Sequence, residues 1–203
     1  MDGQVTLTLP KGARLTEGLA FLSERADWIR RHLADLGTVA ADRPVAAFGM
    51  EIPLRGRPVM LVPGPVRFPV EVEGRLILPA GADRVGARVQ AFLKATARDA
   101  LAAAADAHAA SLGRRYGRIT LRDTRGRWGS CSARGDLMFS WRLIMAPEAV
   151  LDYVAAHEVA HLAEMNHSPA FWAVVARLCP GHEAPRGWLR RHGAGLQALR
   201  LTD

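Results

Sequence analysis

Disulfide chemistry is the first thing this sequence excludes. In 203 residues it has only two cysteines, Cys131 and Cys179, too few to staple a domain of this size. Lysine is as scarce: Lys11 and Lys94 are the only two, so nearly all of the 27 basic side chains are arginine. No apolar run approaches the roughly 20 residues that a membrane-spanning helix needs. The first residues, Met1-Asp2-Gly3-Gln4, lack a basic stretch followed by an apolar one, so no secretory signal is legible. These gaps lead us to expect a reduced, cytoplasmic protein with no membrane partner. What remains is an ordinary globular composition, 49% hydrophobic and 23% charged. The net charge of +7 admits a polyanionic partner such as nucleic acid. An arginine- and alanine-rich composition is also what a biased genome gives any protein, so charge alone assigns no partner.

Patterning along the chain is uneven. Val5–Leu9 alternates like a short strand and stops at Pro10. Thr16 reads as an N-cap for a helix carrying Leu19, Leu22, Ala26, Ile29 and Leu33 and ending near Gly37. From Val45 to Pro79 short β-type runs follow: Ile52–Leu54, Val59–Val62, Val66–Val72 and Arg75–Leu78, the last two joined at Glu73-Gly74. Asp83 then caps a long alanine-rich helix from about Val85 to Leu112, which Gly113 stops. Ile119–Asp123, Gly129–Ser132 and Leu137–Ile144 read as strands, the last two joined through Ala133-Arg134-Gly135-Asp136. Pro147 opens a further helix, Ser168-Pro169 another that ends at Pro180-Gly181, and a last short helix includes Trp188 and Leu189. The best division falls near residue 82. It separates a β-rich N-terminal region with one helix, 1–82, from an α+β domain, 83–203.

The segment with most chemistry is His157-Glu158-Val159-Ala160-His161, followed by His167. Residues four apart on a helix lie roughly 40° apart around the axis and about 6 Å along it. Both imidazoles therefore leave one face and can share a metal ion. Glu158 stands where a carboxylate can hold and deprotonate a water at that metal. This is the H-E-x-x-H arrangement of zinc hydrolases. The helix around it is apolar, and buried histidines and a glutamate are costly when unpaired. Zinc in a catalytic site takes three protein ligands and keeps one place open. His167 is the third candidate. On an unbroken helix it would lie about 15 Å from His157, so the chain must turn after Glu164. Met165-Asn166 supplies the turn if Asn166 takes the left-handed conformation. Glu164 is the competing ligand; His182 and Glu183 are more distant ones. One Zn2+ per chain is expected.

A second block precedes that helix: Arg127-Trp128-Gly129-Ser130-Cys131-Ser132. Together with His157-Glu158-x-x-His161-Leu162, Asn166-His167-Ser168 and Phe171-Trp172, it resembles the YgjP-like metallopeptidases, relatives of the SprT-like zinc peptidases. The likeness runs over about residues 83–192, and more loosely back to Ala26-Asp27-Trp28-Ile29. It implies a zincin-like fold: a long helix, a small antiparallel sheet and the H-E-x-x-H helix. It implies His157, His161 and His167 as zinc ligands and Glu158 as catalytic acid/base. Such proteins usually begin with further strands, whereas this sequence starts almost inside the first. The histidine spacing also equals that of the metzincins. Their pattern has glycine where this chain has Glu164, and a methionine turn downstream that this chain lacks.

The expected function is zinc-dependent hydrolysis of a peptide bond, with Glu158 taking a proton from water and returning it to the leaving nitrogen. Donors for the developing oxyanion are Tyr153, Arg142 or an arginine of the hairpin. Arg127, Trp128, Gly129, Ser130 and Tyr153 are candidates for substrate contact, because a strand beside the metal helix can pair with an extended peptide. Three of these have an equally good structural reading: Trp128 as a core ring, Ser130 as a local hydrogen-bonding group, and Tyr153 as a packing residue. Cys131 has no partner base in the sequence, so a thiol nucleophile is not expected. Two other classes compete. Arg122, Arg125, Arg127 and Arg134 could bind phosphate in a metal-dependent hydrolase of a nucleotide or similar small molecule. A zinc-stabilised nucleic-acid-binding module is the other, although a structural zinc gains nothing from Glu158.

Overall fold

The computed structural model describes residues 7, 9–10, 12–27, 29–30, 45–81, 83–124 and 126–201. The chain separates into two compact units, Met1–Pro44 and Val45–Asp203, so the division expected near residue 82 lies inside the second. In the first unit, α1 spans Leu15–Glu24. Its N-cap is Arg14, with no side-chain cap bond, which puts Thr16 within the first turn. Gly18 is buried because Leu7 and Leu9 occupy the space beside it; a Cβ there would stand 2.7 Å from Leu9. Most of the strand expected at Val5–Leu9, and the helix end near Gly37, fall outside the described residues.

The second unit has a mixed α+β architecture. Its first sheet comprises β1 (Glu51–Leu54), β2 (Arg57–Gly64), β3 (Val70–Val72) and β4 (Arg75–Pro79) in the order β1-β2-β4-β3. β1–β2 and β3–β4 are antiparallel, and β2–β4 is parallel. Ile52, Leu54, Val59, Leu61, Leu76 and Leu78 alternate inward and are fully buried. Glu73 and Gly74 both have positive φ, 48° and 73°, the geometry of a tight two-residue hairpin turn. The expected strand 66–72 begins only after Pro69, which has no N–H to give a ladder.

A long helix, α2 (Val85–Leu112), follows and ends at Gly113 in the left-handed conformation. Its cap residue is Arg84 at φ 61°, not Asp83. Val89, Leu93, Ala97, Leu101 and Ala105 form a stripe with no solvent exposure. That four-residue spacing keeps one helix face in the core. The second sheet contains β5 (Ile119–Arg122), β6 (Gly129–Cys131) and β7 (Leu137–Ser140) in the order β5-β7-β6. It is mixed, not antiparallel as expected: β5 runs parallel to β7, and β6 antiparallel. The chain crosses to the far edge for β6 before returning through the centre, which makes β5 and β7 point the same way. The strand expected to reach Ile144 stops at Ser140. Trp141–Met145 is a short 3-10 helix with all five residues buried, so no in–out alternation survives to sustain a strand.

Three helices complete the unit: α3 (Glu148–Ala160), α4 (Pro169–Leu178) and α5 (Glu183–Ala198). The last is 16 residues long, more than the short helix expected. No described helix is long and apolar enough to cross a membrane. One core joins the elements: Ile52 and Leu61 from the first sheet, Phe139 from the second, and Leu143, Val154 and Phe171 from the helical part. The tip of the β1–β2 turn is fastened to the 3-10 helix by Arg55 N–H to Ile144 O (2.8 Å) and Gly56 N–H to Met145 O (3.1 Å).

Arg142 ties the region before β6 to the end of α5. Its Nε donates to Asp123 Oδ1 at 2.7 Å, and its Nη1 to the carbonyls of Leu196 (2.9 Å) and Leu199 (3.0 Å). A cation at the C-terminal end of a helix meets the negative end of its dipole and its unpaired carbonyls. Arg142 is therefore fully engaged in the scaffold and is not an oxyanion donor. Replacing it leaves those carbonyls and Asp123 without their partner. We expect Arg142→Met to lower stability by about 2 kcal/mol. Chemical denaturation read by tryptophan fluorescence measures this.

Candidate metal centre

The site forms where α3 ends and α4 begins. His157 lies in the last turn of α3, and His161 is its C-cap residue. The chain then turns through Leu162 N–H to Val159 O (3.0 Å), Ala163 N–H to Ala160 O (3.0 Å) and Glu164 N–H to Ala160 O (3.1 Å). Among the described residues only Arg55, Glu73 and Arg84 combine a side chain with positive φ. Asn166 therefore makes the turn without the left-handed conformation expected of it. Ser168 restarts the helix: its Oγ accepts from Phe171 N–H at 3.4 Å, with Pro169 in the first turn.

The reversal brings His167 back to the α3 pair. Ligand-capable atoms of His157, His161 and His167 all lie within 4.8 Å of one another. Nε2 of His157 and Nε2 of His167 are 3.1 Å apart. Two nitrogens bound tetrahedrally at zinc, each at ~2.0–2.1 Å, would be separated by about 3.3 Å. The three rings rest on Phe171, whose ring centroid is 4.9, 4.5 and 4.7 Å from those of His157, His161 and His167. Phe171 has no solvent exposure. His161 Nδ1 is 3.0 Å from the Glu164 carbonyl. A carbonyl only accepts, so Nδ1 carries the proton and Nε2 keeps its lone pair for a metal. Glu164 thus contributes its backbone, and its carboxylate is not part of the cluster.

Burial favours the neutral form of His157 and His161. It pushes His157 down to about 4, and the neighbouring His161, His167, Arg186 and His182 push in the same direction. His161 is also lowered by burial, against the bond to Glu164. Neutral imidazole is the form that binds a metal. Glu158 is buried (5% exposed). Burial raises its carboxyl to about 8, and the Arg127 charge pulls the other way. A dication beside it would also favour the ionised form.

The other candidates separate. Gly129, on β6, faces the Glu158 side chain: a Cβ there would stand 2.5 Å from Oε1 and 2.6 Å from Cγ. The neighbour that requires glycine is thus Glu158. Arg127 is exposed at the approach to β6. Trp128 is half-buried against α5, where a Cβ on Gly193 would meet its ring at 2.9 Å, and its carbonyl accepts from Ser140 N–H. Ser130 is half-buried in mid-β6. Tyr153 is buried, its ring centroid 6.0 Å from His157 and 6.4 Å from His182. Cys131 is pushed up to about 11, by burial first and then by Glu158 and Asp136, so it stays a thiol. Arg122 and Arg134 are exposed, and Arg125 lies outside the described residues.

His182, a distant ligand candidate from the sequence, lies outside the three-histidine cluster. His182 stacks between Tyr153 and Trp172, with Trp172 at 5.7 Å and nearly parallel. The His182 Nδ1 is buried without a partner. Trp172 also reaches His157 (5.8 Å) and His167 (6.0 Å). Arg186 lies 4.4 Å over the Trp172 ring. Phe171-Trp172 was visible as a motif, but nothing local announced that His182 and Arg186 would meet it from another helix.

The chain is matched by the description of a metallopeptidase domain over residues 1–192. It belongs to the YgjP-like family. The crystal structure of the metallopeptidase zymogen of Pyrococcus abyssi abylysin is similar at 24% identity, covering 51% of this chain and 98% of that one, with a TM-score of 0.39. No curated protein matches the chain.

If β6 packs on Glu158 as described, Gly129→Ala displaces the carboxylate without touching a histidine. We expect bound metal to stay at the wild-type level while turnover falls about 100-fold. Metal analysis and a peptidase assay on the same preparation separate the two quantities.

Proposed function

We propose that this metallopeptidase is a zinc enzyme of zincin-like design, with His157, His161 and His167 holding one Zn2+ and Glu158 acting as general base and acid. The observation that carries the reading is the convergence of three imidazoles on one point, with the buried Glu158 carboxylate on the same helix. The donor set fits the ion: three neutral imidazoles suit zinc better than magnesium or calcium, which prefer oxygen. When bound, the ion supplies Lewis acidity to a water and to the scissile carbonyl.

The chain's own residues do the rest. Glu158 takes a proton on its carboxylate as water attacks the amide carbon, then delivers it to the leaving nitrogen. Gly129 leaves the space in which that carboxylate sits. The Glu164 carbonyl keeps the His161 proton on Nδ1. Phe171 and Trp172 wall the site and limit water. β6 pairs only with β7 among the described strands, so its outer edge offers backbone groups to an extended peptide. Ser130 lies on that edge and Arg127 beside it. The half-buried Trp128, packed against α5, and the buried Tyr153 favour packing roles for both. A peptide substrate is the partner this design serves. The metallopeptidase family match favours a peptide over a nucleotide or nucleic acid.

Three measurements test this. Glu158→Gln should keep its zinc and lose turnover of a denatured-protein substrate by about 1,000-fold; unchanged turnover would remove its role. His167→Ala should lose most of its metal, read by atomic absorption after dialysis, and wild-type metal content would eliminate it as a ligand. A zinc chelator should abolish activity, and added zinc should restore it.

A further inference from the structure

The metal site is bordered by arginines that form no ion pair among the described residues. Arg127 stands where the chain enters β6, two residues before the glycine that faces Glu158. Arg186 and Arg190 lie one turn apart on α5. Arg186 is anchored at 4.4 Å over the Trp172 ring, and Trp172 touches both His157 and His167. All three arginines are exposed. Arg30, Arg55, Arg118 and Arg142 do form such pairs. The acids nearby are otherwise placed: Asp123 pairs with Arg142, Glu158 is buried in the site, and Glu183 leans on His182 at 3.5 Å.

Like charges gathered around one opening repel one another, and a ligand carboxylate relieves that repulsion. Arg186 is also held over an indole, which reduces the freedom it must give up on forming a bidentate pair. We propose that this peptidase selects peptides bearing a carboxylate close to the scissile bond, either an Asp or Glu side chain or a free C-terminus, recognised by Arg186 and Arg190 on α5 with Arg127 at the entrance to β6. This selection rests on the peptidase reading above and adds its substrate class.

The test uses zinc-loaded full-length protein and one peptide frame in four forms. Asp, Ala or Lys stands beside the scissile bond with the C-terminus amidated, and the Ala form is repeated with a free C-terminus. Turnover is measured on the wild type and binding on Glu158→Gln. We expect the Asp peptide to exceed the Lys peptide by about ten-fold in both kcat/KM and affinity at low salt, with the gap narrowing as salt rises. Preference for the free C-terminus alone would assign the carboxylate to the chain end, and preference for Asp alone to a side chain. Arg186→Glu with Arg190→Glu should reverse the order of Asp and Lys; the single Arg190→Gln, on an exposed position, should narrow it if the double variant does not fold. Equal rates and affinities across all four peptides would overturn the proposal and leave the peptidase reading standing. Acid-selective binding without cleavage of any peptide would do the opposite.

Discussion

Everything at this site depends on one aromatic ring. Phe171 touches His157, His161 and His167 at once, and it lies within the first turn of a helix capped by Ser168. The cap fixes where α4 begins, the beginning of α4 fixes Phe171, and Phe171 fixes the three imidazoles. Two residues on α3 could share a metal by helical geometry alone. The third comes from outside that helix, and what brings it within reach is a short helix packed across the end of a longer one. Convergence is therefore a property of the α3–α4 junction.

The second sheet matters for a single contact. β6 is only three residues long, yet it brings backbone against the Glu158 carboxylate where any side chain would collide. The Arg142 clamp steadies this arrangement from behind by joining the segment before β6 to the end of α5. Around the buried centre the electrostatics have a consistent sense. Burial favours neutral His157 and His161 and a protonated Glu158, which an adjacent dication would oppose. Under the proposed mechanism the carboxylate sits between influences of opposite sign, as a group that both takes and gives a proton requires.

Much of this was legible in the residues. The four-residue spacing of His157 and His161, the Ser-Pro restart after His167, and the glycine stop of the long helix follow from local rules of helix geometry and capping. The 28-residue helix α2 could be read because alanine and leucine recur on one face without a break. Local rules failed where tertiary packing decided. Trp141–Met145 is apolar throughout and carries no periodicity to separate strand from 3-10 helix. The parallel pairing of β5 with β7 depends on which edge β6 takes, which no short window contains. Arg84 caps α2 in place of Asp83, and Asn166 turns without the left-handed conformation, because neighbours set the chain direction there. His182 and Arg186 meet Trp172 only through the docking of α5. The role of Gly129 was half visible: the need for close approach could be read, but the group that approaches could not.

The bond between His161 and residue 164 has an evolutionary consequence. The acceptor is a main-chain oxygen, which every amino acid supplies. The tautomer of a metal-facing ring is thereby decoupled from the identity of the residue that sets it. Position 164 can drift in charge, size or polarity while the imidazole stays correctly turned, so long as the backbone keeps its path. Sequence variation there would say little about metal binding, and variation at Ser168, which holds that path, would say much more.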